Sequence, residues 1–527
     1  MIRSAALAAL LALAACADPN VARLDDAEPL LADYLDAAGA VDLLDSHVQT
    51  SFDGADLATW RERLAARETA LRTALDGIAA ARLPAQDRRR LASMQGALAL
   101  RAAGSEGEPN CDQAAEESLA GAALRAALYV CFDEFAEAVT HRGVRVGRLG
   151  ALSLLDVSQN SAERRAVFEA MTPLYDAIHR RGADSPYRRI VRLERARMQA
   201  NVSAALQTLG LDWRQGEAWL AGALDAWARA LPYEAAEPWD VRYLMRGAAD
   251  ASLAGCMSAD RQIEANARFY RDLGAHLGAM GVIVDTHSNA PVAYADFVRV
   301  GRIVDGRWRA AAPWITLTMQ RGGPDAAALL VHETGHAAHY AAMRARPSLT
   351  LPDDLSLLLE ASADVTAWSV WEPAWQRAYA GCAYDEATSL RIKLAPVALD
   401  MAWGLFEMRL ARNPEREPNL VWGEIAERYF RARRHDDTAW WAVRGQLVEE
   451  PGYMVNYALG AFVTADLRAR IRAQIGEFDA GNPQWYAHIS RRLYVHGGEE
   501  PPRTLLRRAL GRDVRPDAFL AELERLR

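Results

Sequence analysis

The sequence predicts a mainly α-helical protein with one small β-sheet, and three observations predict it. Ala, Leu and Arg recur at helical spacing through most of residues 25–280, interrupted only by short polar breaks. Short β-branched runs bounded by glycine stand between residues 281 and 319. The apolar helical pattern then resumes and carries the chain to its end.

The N-terminus comes first. Met1-Ile2-Arg3-Ser4 precedes an Ala/Leu run that ends at Ala15, followed by Cys16. A charged start, a short apolar core and small residues before the cut make a secretory signal over residues 1–15. That run is too short for a comfortable membrane span. Leu13-Ala14-Ala15-Cys16 resembles a bacterial lipobox, which implies cleavage before Cys16 and lipidation of its thiol. Residue 17 is Ala rather than Asp, which favours the outer membrane, periplasmic side. A plain signal peptide that releases a soluble protein is the alternative. Residues 16–30 read as an anchor and linker.

Residues 31–280 read as an N-terminal helical region. The stretch 57–81 repeats apolar residues at helical spacing, and breaks fall at 103–112, 181–187 and 231–240. No fixed period links the helices, so a solenoid is not supported and a single large helical body is expected. Beyond Cys16 the cysteines are Cys111, Cys131, Cys256 and Cys382. In an oxidising compartment they can form two disulfides, with Cys111 and Cys131 the favoured pair, or stay as buried thiols. None has the C-x-x-C spacing of a metal or redox site.

Residues 281–527 read as the region that carries chemistry. Gly281-Val282-Ile283-Val284-Asp285, Gly301 to Gly306 and residues 313–319 are candidate strands, and the leading Pro313 suggests an edge strand. A free edge could hold an extended peptide by strand addition; a covered edge is the alternative. His287 and Asn289, in the preceding polar loop, could touch a ligand. Pro324 and Asp325 then open a helix over 324–344, since proline suits the first turn and an acid its positive end.

That helix contains His332-Glu333-Thr334-Gly335-His336. Two histidines four apart share one helix face and can reach one metal ion, while the intervening Glu333 can serve as a base. Glu360 follows His336 by 24 residues, in an apolar helix-like run. Two histidines and a carboxylate fill three corners of a tetrahedral zinc site and leave the fourth open. Asp364, one turn after Glu360, can accept the free ring N–H of a ligand histidine. The expected cofactor is one Zn²⁺ per chain. Seven tryptophans (Trp368, Trp371, Trp375, Trp403, Trp422, Trp440 and Trp441) crowd the region after Glu360 and either pack the core or line a channel, the core being their commoner place.

A HExxH helix with a later glutamate ligand resembles the gluzincin zinc metallopeptidases. The segment from Glu360 through Asp364 and Trp368 to Val370 is similar to the third-ligand helix of the angiotensin-converting enzyme family. Trp440-Trp441-Ala442-Val443-Arg444 is similar to a WWxLR segment of the same family. The strand-like 313–319 stretch, the motif, and His339 three residues after its second histidine resemble the thimet oligopeptidase and oligopeptidase F group. The resemblance covers roughly residues 310–465. It implies two helical lobes around a deep substrate channel, with a small sheet beside the HExxH helix. It also implies a supporting place for His339 and a tyrosine that donates to the oxyanion. Tyr453 and Tyr457, in Gly452-Tyr453-Met454-Val455-Asn456-Tyr457, are the candidates, and Tyr457 is favoured because it sits deeper in its helix. Both families place a histidine shortly before these tyrosines, whereas this chain has none between His435 and His488. His435 could approach from the preceding helix. The connection from Trp441 to Tyr453 is also short, so a dipeptidyl carboxypeptidase site is not carried over.

The formal charge is −8, from 61 basic and 69 acidic residues, with no basic block, which argues against nucleic-acid binding. The expected activity is zinc-dependent hydrolysis of oligopeptides, with peptide substrates and an N-terminal lipid in the membrane as partners. A catalytically silent zinc-containing peptide-binding or structural lipoprotein is the alternative.

Overall fold

The computed structural model describes residues 18–526 except 47–48, 103–109, 117, 120, 181, 183, 247–256, 286–292 and 318–322. Residues 1–15, Cys16, Cys256, His287 and Asn289 lie outside the described residues. Helices dominate, and the strands are short. No described helix is long and apolar enough to cross a membrane.

The first described helix spans Pro19–Asp45. It begins where it does because the Asp18 side chain accepts from the Asn20 amide and Pro19 fills the first turn. Residues 19–30, expected as linker, are therefore helical. Leu24, Ala27, Leu31, Tyr34 and Val41 on this helix pack against the helices Leu57–Leu75 and Ala85–Ala102 to form a separate core. The larger core draws on residues from Ala32 to Leu523, on both sides of position 280. The boundary expected at 280/281 thus marks a change from helix to strand and does not divide the packing.

The main sheet has three strands in the order Ile283–Asp285, Ala312–Thr316, Tyr294–Arg299. The first pair is parallel and the second antiparallel. The stretch 313–319, expected as an edge strand, supplies the central strand. Trp314, Ile315 and Thr316 are all fully buried, the pattern of a strand covered on both faces. Pro313 is tolerated because it pairs with Phe297, where the register shifts between Phe297 and Arg299. The strand Tyr294–Arg299 leads into contact with the first helix, where the Val300 N–H donates to Asp36 at 2.8 Å. The Gly301–Gly306 run does not join this sheet. It forms its own hairpin, Arg302–Val304 with Arg307–Arg309.

Ile315 and Leu317 pack on Leu330 and Ala337 of the helix Pro324–Ala342, so the sheet stands beside the motif helix as expected. Trp368, Trp371, Trp375, Trp403, Trp422 and Trp441 are buried in the core. Trp403 stacks on Trp422 with centroids 5.7 Å apart, and the Trp441 indole N–H donates to Asn419 at 2.8 Å. Cys111 and Cys131 form a disulfide. Cys382 is also disulfide-bonded.

Candidate metal centre

Two helices carry the candidate ligands, and their close approach has a cause in the sequence. The motif helix, Pro324–Ala342, meets the Glu360 helix, Ser356–Ala367, at Gly335. A Cβ on Gly335 would lie 2.9 Å from Ala363 Cα and 3.0 Å from Ala363 O, so only glycine fits without displacement. Tyr270 ties the pair: its hydroxyl donates to Val331 O at 2.7 Å and lies 2.8 Å from Thr366 Oγ1. Thr334 is fully buried and satisfied, donating to Leu330 O and accepting from Asn266 Nδ2.

On this frame three atoms converge. His332 Nε2 and His336 Nε2 are 3.1 Å apart. Glu360 Oε2 lies 3.4 Å from the first and 3.7 Å from the second. Metal–nitrogen and metal–oxygen bonds of about 2.0–2.2 Å in tetrahedral geometry put ligand atoms roughly 3.3–3.5 Å apart. The triangle therefore matches one face of a tetrahedral zinc site, in donor type and in size. The other ring nitrogen of His332 is 2.7 Å from Asp364 Oδ1. A proton on Nδ1 donates to that carboxylate and leaves the Nε2 lone pair facing the triangle.

Charge is balanced tightly here. Burial would raise the Glu360 carboxyl, but hydrogen bonds from His332 and His336 hold it well below the usual carboxylate range. Burial would lower the His332 imidazole, but Asp364, Glu360 and Glu333 raise it well above its ordinary value. Glu333 is 6 % exposed. Burial raises its carboxyl, and the two histidines only partly offset this.

The tyrosine helix, Met454–Ile475, closes a third side, packed on the Glu360 helix by a Thr464 hydroxyl that donates to Ala361 O at 3.0 Å. Both candidate tyrosines face the site, in different ways. The Tyr453 hydroxyl donates to Glu360 Oε1 at 2.9 Å, which leaves Oε2 for the triangle. Tyr457 packs edge-on to Tyr453, at 5.5 Å between centroids, under the Arg444 guanidinium at 5.6 Å. Burial, reinforced by the Glu360 charge, raises both phenols far above the ordinary tyrosine value, so both stay protonated donors. Arg444 in turn holds Asp400 at 2.7 Å. The side chains of Asp364, Asp400 and Arg444 remain 32 %, 23 % and 27 % exposed, so solvent reaches each of them.

Two sequence expectations change. His339 makes no hydrogen bond to a candidate ligand among the described residues: it stacks on Tyr494 at 4.1 Å, and burial, reinforced by His336, pushes its imidazole down to about 3. Its helical phase is that of the ligand histidines, but it lies a turn beyond His336, where Tyr494 covers it. His435 does not reach the tyrosines, because it pairs with Glu237 at 3.0 Å beside Trp239. Asp400 was missed by sequence reasoning, although an isolated acid in an apolar helix was a usable signal. Arg444 was read only as part of the WWxLR-like segment.

No protein-family model and no curated protein matches the sequence. Solved structures do match. The fold is similar to metallocarboxypeptidase 1 of Trypanosoma cruzi (16 % identity, 96 % of this chain and 99 % of that one, TM-score 0.52). It is similar to a Pyrococcus furiosus carboxypeptidase (13 % identity, 95 % and 98 %, TM-score 0.52). It is also similar to PZ peptidase A solved with an inhibitor (12 % identity, 95 % and 96 %, TM-score 0.55). At these identities the likeness is one of fold.

Proposed function

We propose that the protein is a zinc-dependent peptidase acting on oligopeptides, of the gluzincin type that the converting-enzyme and oligopeptidase segments resemble. The observation that carries this is the triangle of His332 Nε2, His336 Nε2 and Glu360 Oε2, sized for one tetrahedral ion. A zinc ion held there would supply Lewis-acid chemistry, activating water and polarising the scissile carbonyl. The residues do the rest. Glu333 takes the proton of the attacking water and returns it to the leaving amine. Asp364 fixes the His332 tautomer and Tyr453 fixes Glu360. Tyr457, whose hydroxyl makes no hydrogen bond among the described residues, is free to donate to the tetrahedral oxyanion.

Mass spectrometry of a pool of unstructured 5–20-residue peptides, incubated with zinc and with a chelator, tests this. Chelator-sensitive products are expected, and their ends would show whether the cut is internal or counted from the C-terminus. The lack of a histidine beside the tyrosines favours a second reading, a zinc-containing peptide-binding lipoprotein. No cleavage by protein shown to hold one zinc would select it. We also propose export and lipid attachment at Cys16. The disulfides at Cys131 and Cys382 suit an oxidising compartment. Cys16→Ser should move the protein from the membrane to the soluble fraction, and unchanged partition would rule the anchor out.

A further inference from the structure

We propose that Glu407 is a positioning residue for the metal centre, holding Tyr453 so that its hydroxyl reaches Glu360. Glu407 lies on the helix Glu386–Arg412, has no solvent exposure, and belongs to none of the motifs above. Its two carboxylate oxygens accept from the Gly452 N–H at 2.7 Å and the Met454 N–H at 2.8 Å, the amides on either side of Tyr453.

The need for this arrangement follows from where Tyr453 sits. It occupies the N-cap of a 22-residue helix, where a phenol cannot cap, and its side chain is turned to Glu360. First-turn amides have no partner within their own helix, and a local Ser, Asp or Asn normally serves them. Here a carboxylate from another helix serves the Met454 amide of the first turn and, with its second oxygen, the Gly452 amide just before the N-cap. The arrangement is costly in itself. Among the described residues no cation pairs with Glu407, and burial pushes its carboxyl up to about 8 although both amides oppose the shift.

The other side of the same turn is pinned too. Asn201 Nδ2 donates to Glu450 Oε1 at 2.7 Å and to Pro451 O at 2.9 Å. Gly452 adopts φ +91°, and a Cβ there would lie 2.7 Å from Met198 O. With the backbone fixed from both sides, the Tyr453 ring has little choice of direction.

This inference rests on the metal reading of His332, His336 and Glu360. The test is a double-mutant cycle read as zinc affinity, by competition with a chromophoric chelator, alongside melting of the metal-free proteins. Glu407→Gln places an amide N–H₂ against a backbone donor. It should weaken zinc binding about tenfold, as loss of an outer partner of a metal ligand does. Tyr453→Phe should weaken it by a similar factor, and the double variant no more than either alone. Hydrogen exchange of the 450–456 segment should rise in Glu407→Gln. Unchanged affinity in Glu407→Gln, or factors that multiply in the double variant, would overturn the proposal, and so would a lowered melting point with affinity intact. If wild type itself bound no zinc, the metal reading would fall and this inference with it. Should Glu407→Gln not fold, Glu407→Asp, which keeps the charge and reaches one amide, takes its place with the same outcomes.

Discussion

The candidate metal centre joins two regions that are held in different ways. In the ligand region, His332 and His336 are placed by one turn of a single helix, and Glu360 by a second helix locked to the first at Gly335 and through Tyr270. In the donor region, Tyr453 reaches Glu360 across 93 residues of sequence, and its backbone is held by Glu407 and Asn201 from two further helices. The ligand region depends on helix period and one close backbone contact. The donor region depends on side chains that must each be present. A ligand set can therefore persist, with weakened affinity, while the donors around it are displaced, so loss of metal and loss of turnover should differ in degree from one substitution to the next.

The largest expected effect exploits that difference. Glu333→Gln keeps the shape of a side chain that is not in the triangle, so zinc stoichiometry should remain one. Peptide turnover should fall by roughly 10³-fold, the scale of a general base together with its electrostatic role. Metal analysis and kcat on the same preparation check it, and a variant that keeps more than a tenth of wild-type kcat would remove Glu333 from the mechanism.

The same contrast explains what could be read in the sequence. Helical spacing carried the residue types of a metal site and brought His332, His336 and Glu360 into consideration together, because the period of an α-helix does not depend on context. The Ala/Leu pattern carried the mainly helical fold for a similar reason. Pro313 carried less: proline limits a strand position but cannot count the strands beside it, and the neighbours of Trp314 are set by the fold. Residues 19–30 looked like a linker because the hydrophobic face of the first helix is completed only by the helices 57–75 and 85–102. His339 looked like a supporting ligand partner because the resemblance implied it, and packing against Tyr494 decided otherwise. Glu407 gave no sequence signal, since its partners are backbone amides some 45 residues away.

Next in size is a pH effect confined to the donor region. Burial pushes the Asp400 carboxyl up to about 6, with Arg444 opposing and Asp364 reinforcing the shift. An acid with a raised folded-state pKa binds more protons folded than unfolded between about pH 4 and 6, so its contribution to stability is lost as pH rises through that window. Moving the carboxyl from about 4 to about 6 is worth roughly 3 kcal/mol at most. Urea unfolding of chelator-treated protein at pH 4.5 and 7 should show wild type losing stability relative to Asp400→Asn as pH rises. Parallel pH profiles would place no titration on Asp400.

The two tyrosines should then divide. Tyr453→Phe removes the bond to Glu360 Oε1 and should weaken zinc binding about 10-fold, the low end for an outer partner of a ligand. Tyr457→Phe should leave zinc affinity alone and lower kcat about 10²-fold, the low end for an oxyanion donor. Exchange of these two results would reverse the roles and make Tyr453, not the favoured Tyr457, the oxyanion donor.

The smallest effect is the most informative about the missing histidine. His435 is the histidine nearest before the tyrosines in sequence, yet its ring is engaged by Glu237 and Trp239. His435→Asn should therefore leave kcat/KM within about twofold of wild type, since its ring partners, Glu237 and Trp239, are none of the candidate site residues. A tenfold loss in kcat with stability unchanged would mean that His435 swings into the site when substrate is bound. The donor region would then be assembled by the substrate, while the ligand region stands ready without it.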